Sequence, residues 1–299
     1  MRRQDWIELS ILSLLWGTTF FAVAIALKEV PPVTLVLARC SIAAAVLIPV
    51  VWLMGHALPK GRTMWGAFLV MAILNNILPF TLIFYGQQFI PSGLTSVING
   101  MTPLMSLLVA RAFAGEQLAW NKFAGVLIGI LGVAILIGPE LTGVDSNSAI
   151  GMLAVLAATF CYGLSGLWGR RFKSVPPIAS AATQVTCATL LMLPIAAASD
   201  QFWTLPALST KTWAAILSLA ILSTALAYIF FYRIMARAGS NNVMLVTLLI
   251  PISAISLGVI GLGETLTLQQ VIGTLVIGLS LLVNDGRLIG VATPAPQPK

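Results

Sequence analysis

The chain has 299 residues, of which 59% are hydrophobic and only 8% charged, with a formal net charge of +7. Soluble domains carry roughly 25% charged residues, so this composition excludes an ordinary cytosolic enzyme, a disordered chain and a secreted disulfide scaffold. What remains is an all-α polytopic membrane protein, with apolar residues enough for roughly eight to ten spans of ~20 residues.

A charged side chain at the bilayer centre costs ~2.5–3.5 kcal/mol even on lenient scales, so charge-free windows mark the spans. In chain order they predict ten transmembrane helices, at 6–27, 33–54, 64–86, 93–113, 121–138, 149–169, 177–198, 212–234, 241–262 and 267–284. The third and fourth share one uncharged window, divided by the turn chemistry of Gln87-Gln88-Phe89-Ile90-Pro91-Ser92-Gly93.

The first helix carries Trp16 and Phe20, aromatics at a depth that suits the wall of a cavity. Glu8, near its start, is the one acid placed to accept a proton. No Asp or Glu lies at mid-depth in any span, which argues against tight proton coupling. The second helix opens at Pro31-Pro32 and contains Arg39. Three readings fit that cation: it snorkels outward, it pairs with Glu29 or Glu264 at an external gate, or it receives a substrate carboxylate by bidentate hydrogen bonding.

The third helix places Asn75, Asn76 and Pro79 on one face. Polar side chains at depth face a partner helix or a wet cavity, so these are substrate contacts or interhelical glue. Asn99 and Thr102 precede Pro103 in the fourth helix, and Asn242 and Thr247 precede Pro251 in the ninth. Each proline frees the carbonyl four residues earlier and kinks its helix. Pro103, Pro251 and Arg39 are therefore candidate gating residues. Tyr162 in the sixth helix and Tyr228 in the eighth complete the candidate substrate-binding set. Gly125, Gly129 and Gly132, opposite Gly273 and Gly278 in the tenth, read as close helix packing.

Cys40, Cys161, Cys187 and the lone His56 form neither a disulfide framework nor a metal set. Paired carboxylates and a Gly-rich phosphate loop are also missing from the sequence. No catalytic residues, no metal and no cofactor are expected, and no basic cluster with interleaved aromatics points to nucleic acid.

With the N-terminus inside, segments 1–5, 55–63, 111–122, 170–173, 233–240 and 285–299 hold thirteen Lys and Arg, while the external loops hold only Lys28 and Lys211. Positive loops face the cytoplasm, so both termini are expected there.

A shift of 148 residues superposes Trp65 on Trp213, Pro103 on Pro251, Gly115-Glu116 on Gly263-Glu264 and Gly125 on Gly273. A slightly shorter shift brings Trp16-Gly17 onto Tyr162-Gly163 and Pro31-Pro32 onto Pro176-Pro177. The expected organisation is a first five-helix repeat at 1–145, a second at 146–290 and a cytoplasmic tail at 291–299. Five is odd, so the second copy crosses in the opposite sense; two inverted five-helix repeats are the architecture of many secondary transporters.

The Trp16-Gly17-Thr18-Thr19-Phe20 segment, Pro31-Pro32 followed by Arg39, Pro103, and Gly115-Glu116 leading to Gly125 and Gly132 resemble the drug/metabolite transporter superfamily, specifically its EamA-type ten-helix permeases. The resemblance covers essentially the whole chain and implies an inner-membrane exporter of amino acids or other small metabolites. The second half departs from the pattern at Gln184, in place of Arg39, and at Tyr162, in place of Trp16. The expected partners are a small-molecule substrate, amino acids foremost, and the lipid bilayer, with a monomer as the working unit and alternating access as the mechanism. The alternatives are a multidrug, nucleoside or lipid permease of the same fold, or a receptor or channel that transports nothing.

Overall fold

The computed structural model describes residues 3–117, 119–142, 146–238, 243 and 245–285. Among them every regular element is helical. In chain order these are α1 (Arg3–Ala26), α2 (Pro32–Leu53), α3 (Arg62–Gly86), α4 (Ser92–Ala114), α5 (Trp120–Thr142), α6 (Ser146–Gly169) and α7 (Pro177–Ser199). Then come α8 (Thr210–Leu217 continuing through Ser218–Leu226 to Ala227–Ala238), α9 (Val246–Leu262) and α10 (Leu268–Asp285). Seven helices among the described residues, α1–α4 and α6–α8, are long and apolar enough to cross a membrane; α5, α9 and α10 contribute shorter apolar stretches.

Local chemistry sets the helix ends. Pro31, Pro91 and Pro176 adopt extended conformations immediately before α2, α4 and α7. A proline there sacrifices no N–H that the helix would use. At the other end α4 and α9 stop at Gly115 (φ 66°) and Gly263 (φ 69°), left-handed positions that glycine occupies without a Cβ penalty. The next N–H then folds back onto an orphan carbonyl, Glu116 onto Ala110 at 3.3 Å and Glu264 onto Gly258 at 3.1 Å.

Contacts between helix ends sort them into two faces. On an arginine-rich face Arg237 bonds Glu8 (2.6 Å) and Asp5 (3.2 Å), tying α8 to the start of α1, and Arg170 pairs with Glu116 at 2.6 Å. On an acidic face three carboxylates each accept from the start of another helix. Glu29 takes the Ser209 N–H (2.8 Å), Asp200 the Thr34 N–H (2.9 Å), and Glu264 the N–H groups of Ser92 (2.8 Å) and Gly93 (3.2 Å). Acids suit these positions because a helix N-terminus carries orphan donors and partial positive charge. Hydrogen bonding from Ser209 holds the Glu29 carboxyl below the usual carboxylate range.

The interior forms where the halves interlock. α2 packs on α7, α1 on α9 and α8, and α6 on α3 and α4, while α5 and α10 pair beside them. Two close approaches recur at matched positions: a Cβ on Gly17 would collide with Ser253 of α9, and one on Gly163 would press on Val109 and the Met105 carbonyl of α4. Gly125 and Gly132 meet α10 as expected, Gly129 reaches Leu104 and Met101 of α4 as well, and Gly278 faces open space. Large apolar side chains such as Leu190, Ile260 and Leu275 lie exposed on the outer surface, where a bilayer covers them. The chain is a multi-pass membrane protein.

Candidate substrate site

Two helices widen at matched places. Residues 73–77 of α3 and 218–226 of α8 are π-helical, and the 148-residue shift carries the first segment inside the second. The causes differ. In α3 the Leu78 N–H bonds the Ile73 carbonyl five residues back, and Pro79 next in line has no N–H with which to restore the ordinary ladder. In α8 the Thr224 hydroxyl takes the Leu219 carbonyl, also five residues back, at 2.9 Å. Such turns are frequent at functional sites, and here both carry buried or half-buried polar side chains.

Each π-turn is bonded by the first two helices of the opposite half. Asn75 donates to Gln184 Oε1 of α7 (3.0 Å) and accepts from Ser165 of α6 (3.0 Å). Across the seam Ser223 lies 3.3 Å from Thr18 Oγ1 of α1, and Thr224 Oγ1 accepts from Arg39 Nε of α2 at 3.1 Å. Arg39 is only 7% exposed, and its guanidinium carbon lies 3.8 Å above the centre of the Phe80 ring. Tyr162 and Tyr228, both half-buried, stand close enough to feel its charge. Asn76 is fully buried, with neither amide atom hydrogen-bonded.

The sequence candidates therefore divide. Arg39, Asn75, Asn76, Pro79, Tyr162 and Tyr228 gather around the two π-turns. Asn75 and Asn76 do not act as one face, because the widened turn sends Asn75 to α6 and α7 while Asn76 stays unpartnered. Arg39 makes neither of the expected gate contacts, since Glu29 and Glu264 are held by Ser209 and by Ser92 and Gly93; nor does it snorkel. Trp16 packs on Phe231 at 5.6 Å between ring centres, and the Phe20 carbonyl accepts from Gln87.

A second locus lies at the α4–α9 contact. α4 breaks at Gly100-Met101, just before Pro103, whereas α9 runs unbroken through Pro251. Thr102 Oγ1 bonds the Asn99 carbonyl at 2.7 Å, in place of the N–H that Pro103 lacks; the buried Asn99 Oδ1 has no partner among the described residues. A Cβ on Gly100 would sit 3.7 Å from the Pro251 ring, so the break of one helix nests against the proline of the other. Thr247 is half-buried in the first turn of α9, and Asn242 lies outside the described residues.

A cleft of about 480 Å³ enters from the arginine-rich face between α3, α4 and α6, lined by Arg170, Arg171, Trp168 and Phe113. Leu74 and Leu164, the chain neighbours of Asn75 and Ser165, also line it. Trp168 donates to the Ala67 carbonyl at 2.9 Å and carries Arg171 over its ring. Phe80, Ser165, Ser223 and Thr224 were not among the sequence candidates. The 148-residue shift carries Asn75-Asn76 onto Ser223-Thr224 and is the signal that finds the last two.

An all-helical membrane protein whose two halves meet across a polar seam has the makings of a transporter of small molecules. The comparisons agree: the chain belongs to the EamA-like transporter family, whose pattern matches it twice, over residues 6–138 and 149–284. It is 26% identical to "Uncharacterized inner membrane transporter YedA" of Escherichia coli (strain K12) over 96% of this chain and 92% of that one. It is 23% identical to "Probable amino-acid metabolite efflux pump" of Salmonella typhimurium over 95% of both chains. A crystal structure superposes with a TM-score of 0.64 over 97% of this chain and 99% of that one, at 21% identity, which shows a shared fold.

Proposed function

We propose that the protein is a secondary transporter of a bacterial inner membrane that exports small metabolites, amino acids foremost, by alternating access. In this reading the chain crosses the membrane ten times as two inverted repeats, 1–145 and 146–290, with the arginine-rich face and both termini in the cytoplasm. The observation that carries it is the reciprocal seam, in which the π-turn of each half is bonded by the first two helices of the other. Equivalent elements placed both ways up supply two states of similar energy, open to opposite sides. Support for the repeat comes from the double family match and the matched glycine caps. Support for export of amino acids comes from the relative named as an efflux pump.

In the described state three carboxylates tie helix starts together on the acidic face, while the cleft opens on the other. This is an inward-open arrangement, with the broken α4 and its contact at Pro251 as the moving part. Counterflow into proteoliposomes tests the reading. Vesicles preloaded with one unlabelled amino acid at a time should accumulate its radiolabelled form above the external level in a protein-dependent way. No accumulation for any amino acid would overturn the substrate assignment, and none for a wider panel of metabolites would overturn transport.

A further inference from the structure

Arg39 is a buried cation with no carboxylate partner among the described residues. Of the carboxylates with described side chains, Asp5 and Glu8 are held by Arg233 and Arg237 on the arginine-rich face, and Glu116 by Arg170. Glu29, Asp200 and Glu264 are engaged at helix starts on the acidic face. The other three acids, Glu140, Asp145 and Asp285, fall outside the spans that the sequence predicts. A cation at this depth is costly without a partner, and such residues in membrane helices mark ligand pathways.

The guanidinium is fixed and half used. Its Nε is committed to Thr224 and one face lies on Phe80, which leaves the two Nη groups. Among the described residues no hydrogen bond engages them. That free edge is a rigid two-donor fork matching the spacing of carboxylate oxygens. A second group nearby also lacks a partner: Asn76, fully buried, sits four residues before Phe80 and so shares its face of α3. Both of its amide atoms are unsatisfied, an arrangement that native proteins keep chiefly where something else completes it.

We infer that Arg39 is the receptor for a substrate carboxylate, with Asn76 beside it as the neutral polar contact. This rests on the transport reading of the same seam and narrows it: an acid group is required for binding, while an amino group meets only amides, hydroxyls and aromatic rings and is dispensable. Deaminated carboxylic acids therefore bind as well as the matching amino acids, and amines and amides do not.

Thermal unfolding of the detergent-solubilised full-length protein tests this, because a ligand that binds only the folded state raises its Tm. One set of probes is leucine, 4-methylpentanoate, 3-methylbutylamine and leucinamide; glutamate, succinate and acetate extend the carboxylates. At least one acid should raise the Tm with rising concentration, and its deaminated form should do the same, while the paired amine and amide should not. Arg39→Gln should weaken the responding acid by about thirtyfold or more, the usual cost of removing one partner of a buried charge pair. Arg39→Lys keeps the charge but loses the fork; it should retain weak binding and serves as the readout where Arg39→Gln does not fold. An amine or amide that stabilises as well as its acid, a response that survives Arg39→Gln or is undiminished in Arg39→Lys, or no response to any acid up to tens of millimolar would overturn the assignment. None of these outcomes touches the transport reading, which counterflow with uncharged and cationic metabolites decides separately.

Discussion

The two halves build the same widened turn by different means, and only one of them puts a charge beside it. In α3 the register shifts ahead of Pro79, which has no N–H to give; in α8 it shifts where the Thr224 hydroxyl takes over the Leu219 carbonyl. Arg39 of α2 bonds the α8 turn, whereas its counterpart Gln184 of α7 bonds the α3 turn with a neutral amide. Backbone geometry is thus kept in duplicate while the chemistry is one-sided. On the transport reading proposed above, the symmetric scaffold supplies the two states, and the one-sided lining reads one substrate once, at one end of the seam.

The largest effect expected from disturbing this arrangement is functional. Asn76→Leu replaces two unsatisfied buried polar atoms with an isosteric apolar group. An unpaired buried group costs ~1–3 kcal/mol, so the variant should unfold at a higher temperature than the wild type by about 1 kcal/mol of stability. Counterflow should nevertheless fall at least about tenfold, the value of one lost substrate hydrogen bond. A variant that transports normally would return Asn76 to the role of packing residue. The neutral counterpart makes the comparison sharper: Asn75→Leu breaks bonds to Gln184 and Ser165 and should lose stability as well as transport.

Close packing should also distinguish the halves, through stability rather than transport. Gly17→Val drives a side chain into Ser253 and toward the backbone of Ala254, and should cost ~1–3 kcal/mol as overpacking. At the matched Gly163 a Cβ would lie 2.9 Å from Val109 and 3.3 Å from the nearest α4 backbone, whereas at Gly17 it would overlap Ser253 and lie 3.1 Å from the Ala254 backbone, so Gly163→Val should lower the Tm less. Equal losses would mean that α1 and α6 are gripped alike.

Much of this layout is readable in the sequence, and the part that is not has a physical cause. Hydropathy places the helices within a few residues because a charge at depth is too costly to scatter; α3 was expected at 64–86 and runs Arg62–Gly86. Gly115-Glu116 and Gly263-Glu264 are legible because a left-handed cap demands glycine. The π-turns leave no such mark, since one extra residue in a turn changes neither composition nor hydropathy, and Asn75 and Asn76 therefore read as one face when they are two. The ring under Arg39 was also out of reach: Phe80 belongs to a different helix, and no spacing in the chain announces which aromatic will lie beneath a cation. Gln184 stands out in the sequence only as the residue in place of Arg39, and its bond to the α3 turn is visible only in the structure.

A third contrast concerns the two Gly-Glu pairs, which share a backbone but not a partner. Glu264 accepts from two N–H groups and the Ser92 hydroxyl at the start of α4, whereas Glu116 forms a half-exposed ion pair with Arg170. Glu264→Gln should cost ~0.5–2 kcal/mol, as the loss of a charged helix cap does, and should raise solvent labelling of a single cysteine placed near Gly93. Glu116→Gln should change stability by less than ~1 kcal/mol. If the two variants are equally destabilised, the acidic face is not the closed one.

The smallest effect expected is at the prolines, and it bears on motion rather than stability. A pair of symmetric kinks would treat Pro103 and Pro251 alike, yet α4 is broken at Gly100-Met101 while α9 is continuous, and the break rests on the Pro251 ring. Pro103→Ala restores an N–H where the Asn99 carbonyl is already held by Thr102, so it favours a straighter α4 without forcing it. Pro251→Ala removes the surface on which the break rests and lets α9 straighten instead. The two substitutions should therefore bias accessibility in opposite directions. A change of about 1 kcal/mol moves a balanced two-state equilibrium about fivefold, which thiol labelling resolves. The measurement uses single cysteines near Gly115 and near Gly263, with Cys40, Cys161 and Cys187 replaced. Labelling at Gly115 should rise in one variant and fall in the other, with Gly263 responding in reverse. The same direction in both, or no change in either, would remove the α4–α9 contact as the moving part and leave both prolines to packing.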